Sequence, residues 1–184
     1  MTSKKDENDN SDIDIRLLEH KIHYFSGEVN NETITEAVKW LLYWDTFPKT
    51  TLTLYVNSEG GEVYEAFALI ELMKKSKHTI KTIGIGSIMS CGFMIFISGT
   101  KGYRYIGKNT GIMYHQHTDS YSNKYHDVKA QMIENDNIVD RFIKCIKEAS
   151  EFTLADVRKN FSGTTDQYFT AKDLIASGLA DKML

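Results

Sequence analysis

Apolar positions recur at strand and helix spacings in alternation from Ile15 onward, whereas residues 1–14 hold only Met1 and Ile13 as apolar side chains. That first stretch predicts a disordered acidic tail, with a single domain over residues 15–184. His20–Phe25 reads as a short strand closed by Gly27. Thr33-Ile34-Thr35-Glu36 has the form of a capping box, and Ile34, Ala37, Val38, Leu41 and Leu42 behind it keep helical spacing. Pro48, the only proline, falls where that helix must have ended. Leu52, Leu54 and Val56 alternate as in a strand over Thr51–Val56. Asn57-Ser58-Glu59-Gly60-Gly61 then reads as a loop, and Val63, Ala66, Phe67, Ile70 and Met73 mark one face of a helix.

A strand over Thr79–Gly86 precedes a helix from about Ser90 to Ser98, apolar on nearly every face and so expected to be buried. Short strands follow at Tyr103–Ile106 and Gly111–Tyr114. Val128, Met132, Val139, Phe142 and Ile146 define a long amphipathic helix. A short helix near Leu154–Phe161 follows, and a last one runs from near Thr170 to Gly178. Strands alternating with helices through short connections imply right-handed crossovers and a largely parallel sheet, hence an α/β fold.

Composition narrows the function classes. Of the 184 residues 41% are apolar and 26% charged, enough for a packed core. The longest apolar run, Cys91–Ile97, is far too short for a membrane span, and the polar N-terminus is no secretory signal, so a soluble protein is expected. The net charge of −3 resides in residues 1–14, where five acids face two lysines. The remaining twenty acids and twenty bases balance, which leaves no electrostatic footprint for nucleic acid. Two cysteines, Cys91 and Cys145, make no disulfide framework and suit a reducing cytoplasm.

Two segments fall at strand carboxyl ends, where open α/β sheets carry their sites. In the first, Gly60-Gly61 lets backbone approach a ligand or merely turn. In the second, Gly84-Ile85-Gly86-Ser87-Ile88-Met89-Ser90-Cys91-Gly92, Ser90 opens a helix. It is either an ordinary N-cap or a nucleophile whose oxyanion the Cys91 N–H helps to bind, with Gly92 permitting close backbone packing. The sequence is not the G-x-S-x-G elbow, since no glycine stands two residues before Ser90.

A nucleophilic serine needs a base and a group that orients it. His115 and His117 follow the strand Gly111–Tyr114 and could reach Ser90. As metal ligands they lack an accompanying carboxylate or cysteine cluster. Asp166 could orient the base or simply terminate a turn, and spacing alone does not choose.

Four segments in one order resemble the proteolytic subunits of Clp protease, a family of self-compartmentalising serine peptidases. They are Leu54-Tyr55-Val56-Asn57-Ser58-Glu59-Gly60-Gly61, Ile85-Gly86 through Ser90-Cys91-Gly92, Met113-Tyr114-His115-Gln116, and Ser177-Gly178-Leu179-Ala180-Asp181, within a likeness spanning roughly Arg16 to Leu184. The resemblance implies repeated βαβ units of the kind shared with crotonases, and a serine endopeptidase acting on unfolded or short polypeptides. Ser90 would be the nucleophile, His115 the base and Asp166 its orienting acid, with Gly61 and Cys91 N–H groups as the oxyanion hole. It also implies two stacked seven-membered rings around a chamber and a Clp-type ATPase as partner. A substrate-lining strand over about Gln116–Lys124 and a ring-pairing helix over Val128–Ile146 belong to the same expectation. No metal or organic cofactor is implied, and without a Gly-rich phosphate loop any ATP would be used by the partner.

The sequence departs from the family pattern in places. Glu59 and His117 stand where proline is usual, Thr118–Tyr125 lacks the family's glycines, and the acidic tail replaces an apolar gate segment. Of the apolar pocket that receives the ATPase loop, Tyr55, Ile83, Ile85, Tyr105 and Leu184 fit, while Thr53 and Gly107 do not. Rival readings are a viral-type maturation protease working without an ATPase, a non-catalytic ring subunit, and an acyl-CoA enzyme of the crotonase type.

Overall fold

The computed structural model describes residues 4–116, 124–163 and 165–184. Three long strands form the centre of its sheet: β1 (Ile22–Val29), β2 (Thr51–Gly61) and β3 (Thr79–Met89). β4 (Arg104–Ile106) and β7 (Lys182–Met183) extend it in the order β1-β2-β3-β4-β7, all parallel. β5 (Gly111–Tyr114) runs parallel to the far end of β3, and β6 (Gln167–Phe169) pairs with it antiparallel. Helices α2 (Asn31–Asp45), α3 (Val63–Lys75) and α4 (Cys91–Ile97) make the crossovers. The chain is α/β with a mostly parallel sheet, as its alternating pattern implies.

Every residue of α4 is buried, which accounts for its apolar character on all faces. It packs on the core side of β2, where Leu52, Leu54, Val56 and Ser58 point inward at period two. Helices α5 (Tyr125–Ala149), α6 (Leu154–Phe161) and α7 (Ala171–Ala176) follow. The carboxyl half of α5 buries Ile138, Phe142, Ile143 and Ile146, while Tyr125, Met132 and Ile133 in its first half are exposed.

Several boundaries differ from expectation: β1 runs through Gly27 to Val29, and β3 continues past Gly86 to Met89. Asn57–Gly61 is not a loop: β2 continues through it, with Glu28 and Val29 of β1 paired to Gly60 and Gly61. The glycines permit this at φ of 107° and 144°. The capping box of α2 begins three residues earlier, because Asn30 Oδ1 accepts the Thr33 N–H at 3.0 Å and Thr33 Oγ1 accepts the Asn30 N–H at 3.2 Å. Glu36 pairs with Lys39 instead, at 2.8 Å. Where a disordered tail was expected, Lys4–Glu19 forms helix α1, whose Ile13, Leu17 and Leu18 line a groove with Trp40.

β3 changes partner midway. Thr82–Gly84 pair with β4, and Ser87–Met89 with β5. Between them β3 holds extra residues against β2, Val56 facing Gly84 but Ser58 facing Ile88. Asn57 pins this bulge, accepting the Ser87 N–H at 3.0 Å and donating to Tyr24 at 3.1 Å. Gly86, at φ 60°, has no room for a Cβ, which would lie 2.3 Å from Asn57 Oδ1. The bulge aims the end of β3 away from β4 and toward β5.

The closing segment is fastened by a buried charge. Arg104, 1% exposed, donates to Asp181 at 2.8 and 3.0 Å and to the carbonyls of Ala149 and Gly178 at 2.7 Å. Among the described residues no helix is long and apolar enough to cross a membrane.

Candidate active site

Ser90 occupies the sharp turn between β3 and α4 with φ 51° and ψ −121°, a left-handed conformation that a non-glycine residue holds at a cost of about 1–3 kcal/mol. Its hydroxyl makes no capping bond to α4, so the N-cap reading is set aside. The backbone fixes the turn: the Ser90 N–H donates to the Met113 carbonyl at 2.9 Å, and its own carbonyl accepts from Met94 at 3.2 Å. This is the strand–turn–helix geometry that presents a nucleophile above a sheet. The room comes from β2 rather than from a glycine two residues upstream. A Cβ on Gly60 would lie 2.7 Å from Ser90 Cβ and 3.1 Å from Cys91 N, and one on Gly92 would lie 2.6 Å from the Ser58 carbonyl. Close packing at Gly92 is therefore observed.

His115 and Asp166 are brought to the same end of the sheet by strand register. β3 pairs Met89 with Met113, so Ser90 leaves β3 level with the end of β5. β5 and β6 pair Ile112 with Phe169, Met113 with Tyr168 and Tyr114 with Gln167. His115 and Asp166 are the next residues on either side of that ladder. Tyr114 faces inward, 3% exposed against Phe93 and Phe161. By the period of two, His115 follows Met113, and Asp166 follows Tyr168, on the opposite face. His115 is half-buried and Asp166 exposed, and among the described residues no hydrogen bond joins them to each other or to Ser90. His117 and most of the expected substrate strand lie outside the described residues.

Gly61 and Cys91 flank the turn. The Cys91 thiol donates to the Gly61 carbonyl at 3.2 Å. Burial pushes that thiol up to about 11, against smaller opposing effects of the Gly61 backbone and the Ser90 side chain. Cys91 is thus a protonated donor at neutral pH, not a rival nucleophile. Ser58, 1% exposed, accepts the Gly60 N–H at 3.1 Å. Sequence reasoning missed Ser58 and Asn57 as supports of this strand end; their position between an alternating strand and paired glycines was the available signal. No group of three or more His, Cys, Asp or Glu side chains able to hold a metal occurs among the described residues.

A family model described as Clp protease matches residues 4–184, taking in α1 as well as the body. A curated relative, ATP-dependent Clp protease proteolytic subunit 1 of Leifsonia xyli subsp. xyli, is 32% identical over 167 residues, covering 90% of this chain and 84% of that protein.

Proposed function

The chain belongs to the Clp protease family and is a serine-type peptidase; on that premise we propose that it is an endopeptidase working through Ser90, His115 and Asp166 inside an oligomeric chamber. The observation that supports the triad best is the register of β3, β5 and β6, which leads all three residues to one end of the sheet from distant parts of the sequence. A turn that carries Ser90 at positive φ with a hydroxyl not spent on capping α4 supports the nucleophile's role.

In this mechanism Ser90 Oγ bonds to the scissile carbonyl carbon as His115 takes the hydroxyl proton. The resulting oxyanion is held by the Gly61 and Cys91 N–H groups. The C–N bond then breaks, and His115 returns the proton to the leaving amine. Water attacks the acyl-enzyme by the same route. Asp166 orients the imidazole and stabilises its charged form, each oxyanion donor being worth about 3–4 kcal/mol.

Two stacked seven-membered rings would enclose these sites, and α5 would pair the rings through its exposed first half. Unfolded polypeptide would lie along 116–124. A Clp-type ATPase would dock on the sheet face carrying Tyr55, Ile83, Ile85, Tyr105 and Leu184, and the cytoplasm would be the site of action. The test is turnover of an unfolded polypeptide, with sedimentation mass measured on the same preparation. Ser90→Ala and His115→Ala should abolish cleavage, and Asp166→Asn should lower kcat by about 10⁴-fold. Cleavage persisting in Ser90→Ala would refute the assignment, and a stable monomer would refute the chamber.

A further inference from the structure

Paired glycines are a weak point in any oxyanion hole. The Gly60–Gly61 backbone has access to conformations closed to other residues, so its central peptide could rotate and turn its N–H away. A hole contributes to catalysis only if its donors are fixed before the charge develops. Something must hold this strand end still.

The peptides on both sides of the Gly60–Gly61 bond are anchored. On one side the Gly60 N–H donates to Ser58 Oγ at 3.1 Å. On the other, the Gly61–Glu62 peptide is gripped at both ends: its N–H donates to the Val29 carbonyl at 2.7 Å, and its carbonyl accepts from Cys91 Sγ at 3.2 Å. The first contact ties it to β1 and the second to the opening residue of α4. Of these anchors only the thiol belongs to the residue beside Ser90, and only it links the two backbone segments whose N–H groups form the proposed hole.

We propose that Cys91 is a positioning residue, whose thiol proton holds the Gly61 carbonyl and thereby keeps the Gly61 N–H aligned with the Cys91 N–H across from Ser90. The inference deepens the peptidase reading and rests on it. The side chain takes no part in bond making. It stays protonated because burial holds its titration near 11, so the donor persists across the neutral range. A thiol is a weak donor, and the effect is accordingly modest.

Cys91→Ala and Cys91→Ser in the full assembled chain test this, the first losing the donor and the second keeping one. Cys91→Ala should lower kcat and the fluorophosphonate labelling rate about threefold to tenfold, with KM within about twofold of the parent. Cys91→Ser should recover most of that loss. Independently of activity, the infrared S–H stretch that disappears in Cys91→Ala should lie below that of an unbonded thiol. Cys91→Ala matching the parent in kcat, Cys91→Ser falling as far as Cys91→Ala, or an unshifted S–H band would each overturn the proposal. A parent chain that neither cleaves nor labels would instead sink the peptidase reading, and the infrared band would still decide whether the tether exists.

Discussion

At the scale of the residue, the conformation of Ser90 separates site from scaffold. A left-handed backbone at a non-glycine residue is tolerated where surrounding contacts over-determine it, and here β5, Gly60 and α4 all do so. Ser90→Ala removes the hydroxyl and keeps the strain, while Ser90→Gly removes both. Ser90→Gly is expected to be the more stable of the two by about 1 kcal/mol in denaturant unfolding, since glycine adopts positive φ without the Cβ penalty. Equal midpoints would mean that the turn relaxes in solution. The sequence made Ser90 a candidate but left its hydroxyl's use open. A cap and a nucleophile share the same position before a helix, and the sequence alone does not show whether the hydroxyl bonds to the helix.

At the scale of the element, period-two and helical spacings located eleven of the fourteen described strands and helices, because those patterns record which face is buried, and missed α1, β6 and β7. The errors fell where a partner far along the chain decided the outcome. Gly60 and Gly61 look like a turn until β1 offers Glu28 and Val29 as ladder partners. Asn30 rather than Thr33 caps α2, since both are good caps and local spacing does not rank them. The Arg104–Asp181 clamp was likewise invisible: the Ser177–Asp181 segment was noticed as a motif, but its buried partner lies more than seventy residues earlier.

That clamp has a pH signature. Burial alone would raise the Asp181 carboxyl, but the hydrogen bonds and charge of Arg104 outweigh it and hold the group below its usual range. A depressed folded value means the contribution is complete above the unfolded carboxylate value near pH ~4 and is lost as pH falls through the lower folded one. Asp181→Asn should therefore cost about 3 kcal/mol at neutral pH. Its gap to the parent should narrow only in acid, as urea unfolding at several pH values would reveal. A gap that stayed constant into strong acid would remove the ion pair from the account.

At the scale of the whole molecule, the site is a product of topology. β3 is bent by the Asn57-pinned bulge so that one strand serves β4 with its first half and β5 with its second. β6 then returns antiparallel along β5 and brings Asp166 to the sheet end where His115 follows β5. No local pattern in the sequence encodes that return, which is why spacing left Asp166 one acid among several and only the resemblance named it. The exposed Tyr125, Met132 and Ile133 on α5 belong to the same scale, since the single chain leaves all three largely open to solvent.

The most direct test of the central claim is intact-mass labelling of the native chain with a fluorophosphonate, beside Ser90→Ala. The account predicts one adduct per native chain and none on the variant. A folded native chain that takes no adduct, or a Ser90→Ala chain that takes one, would contradict it.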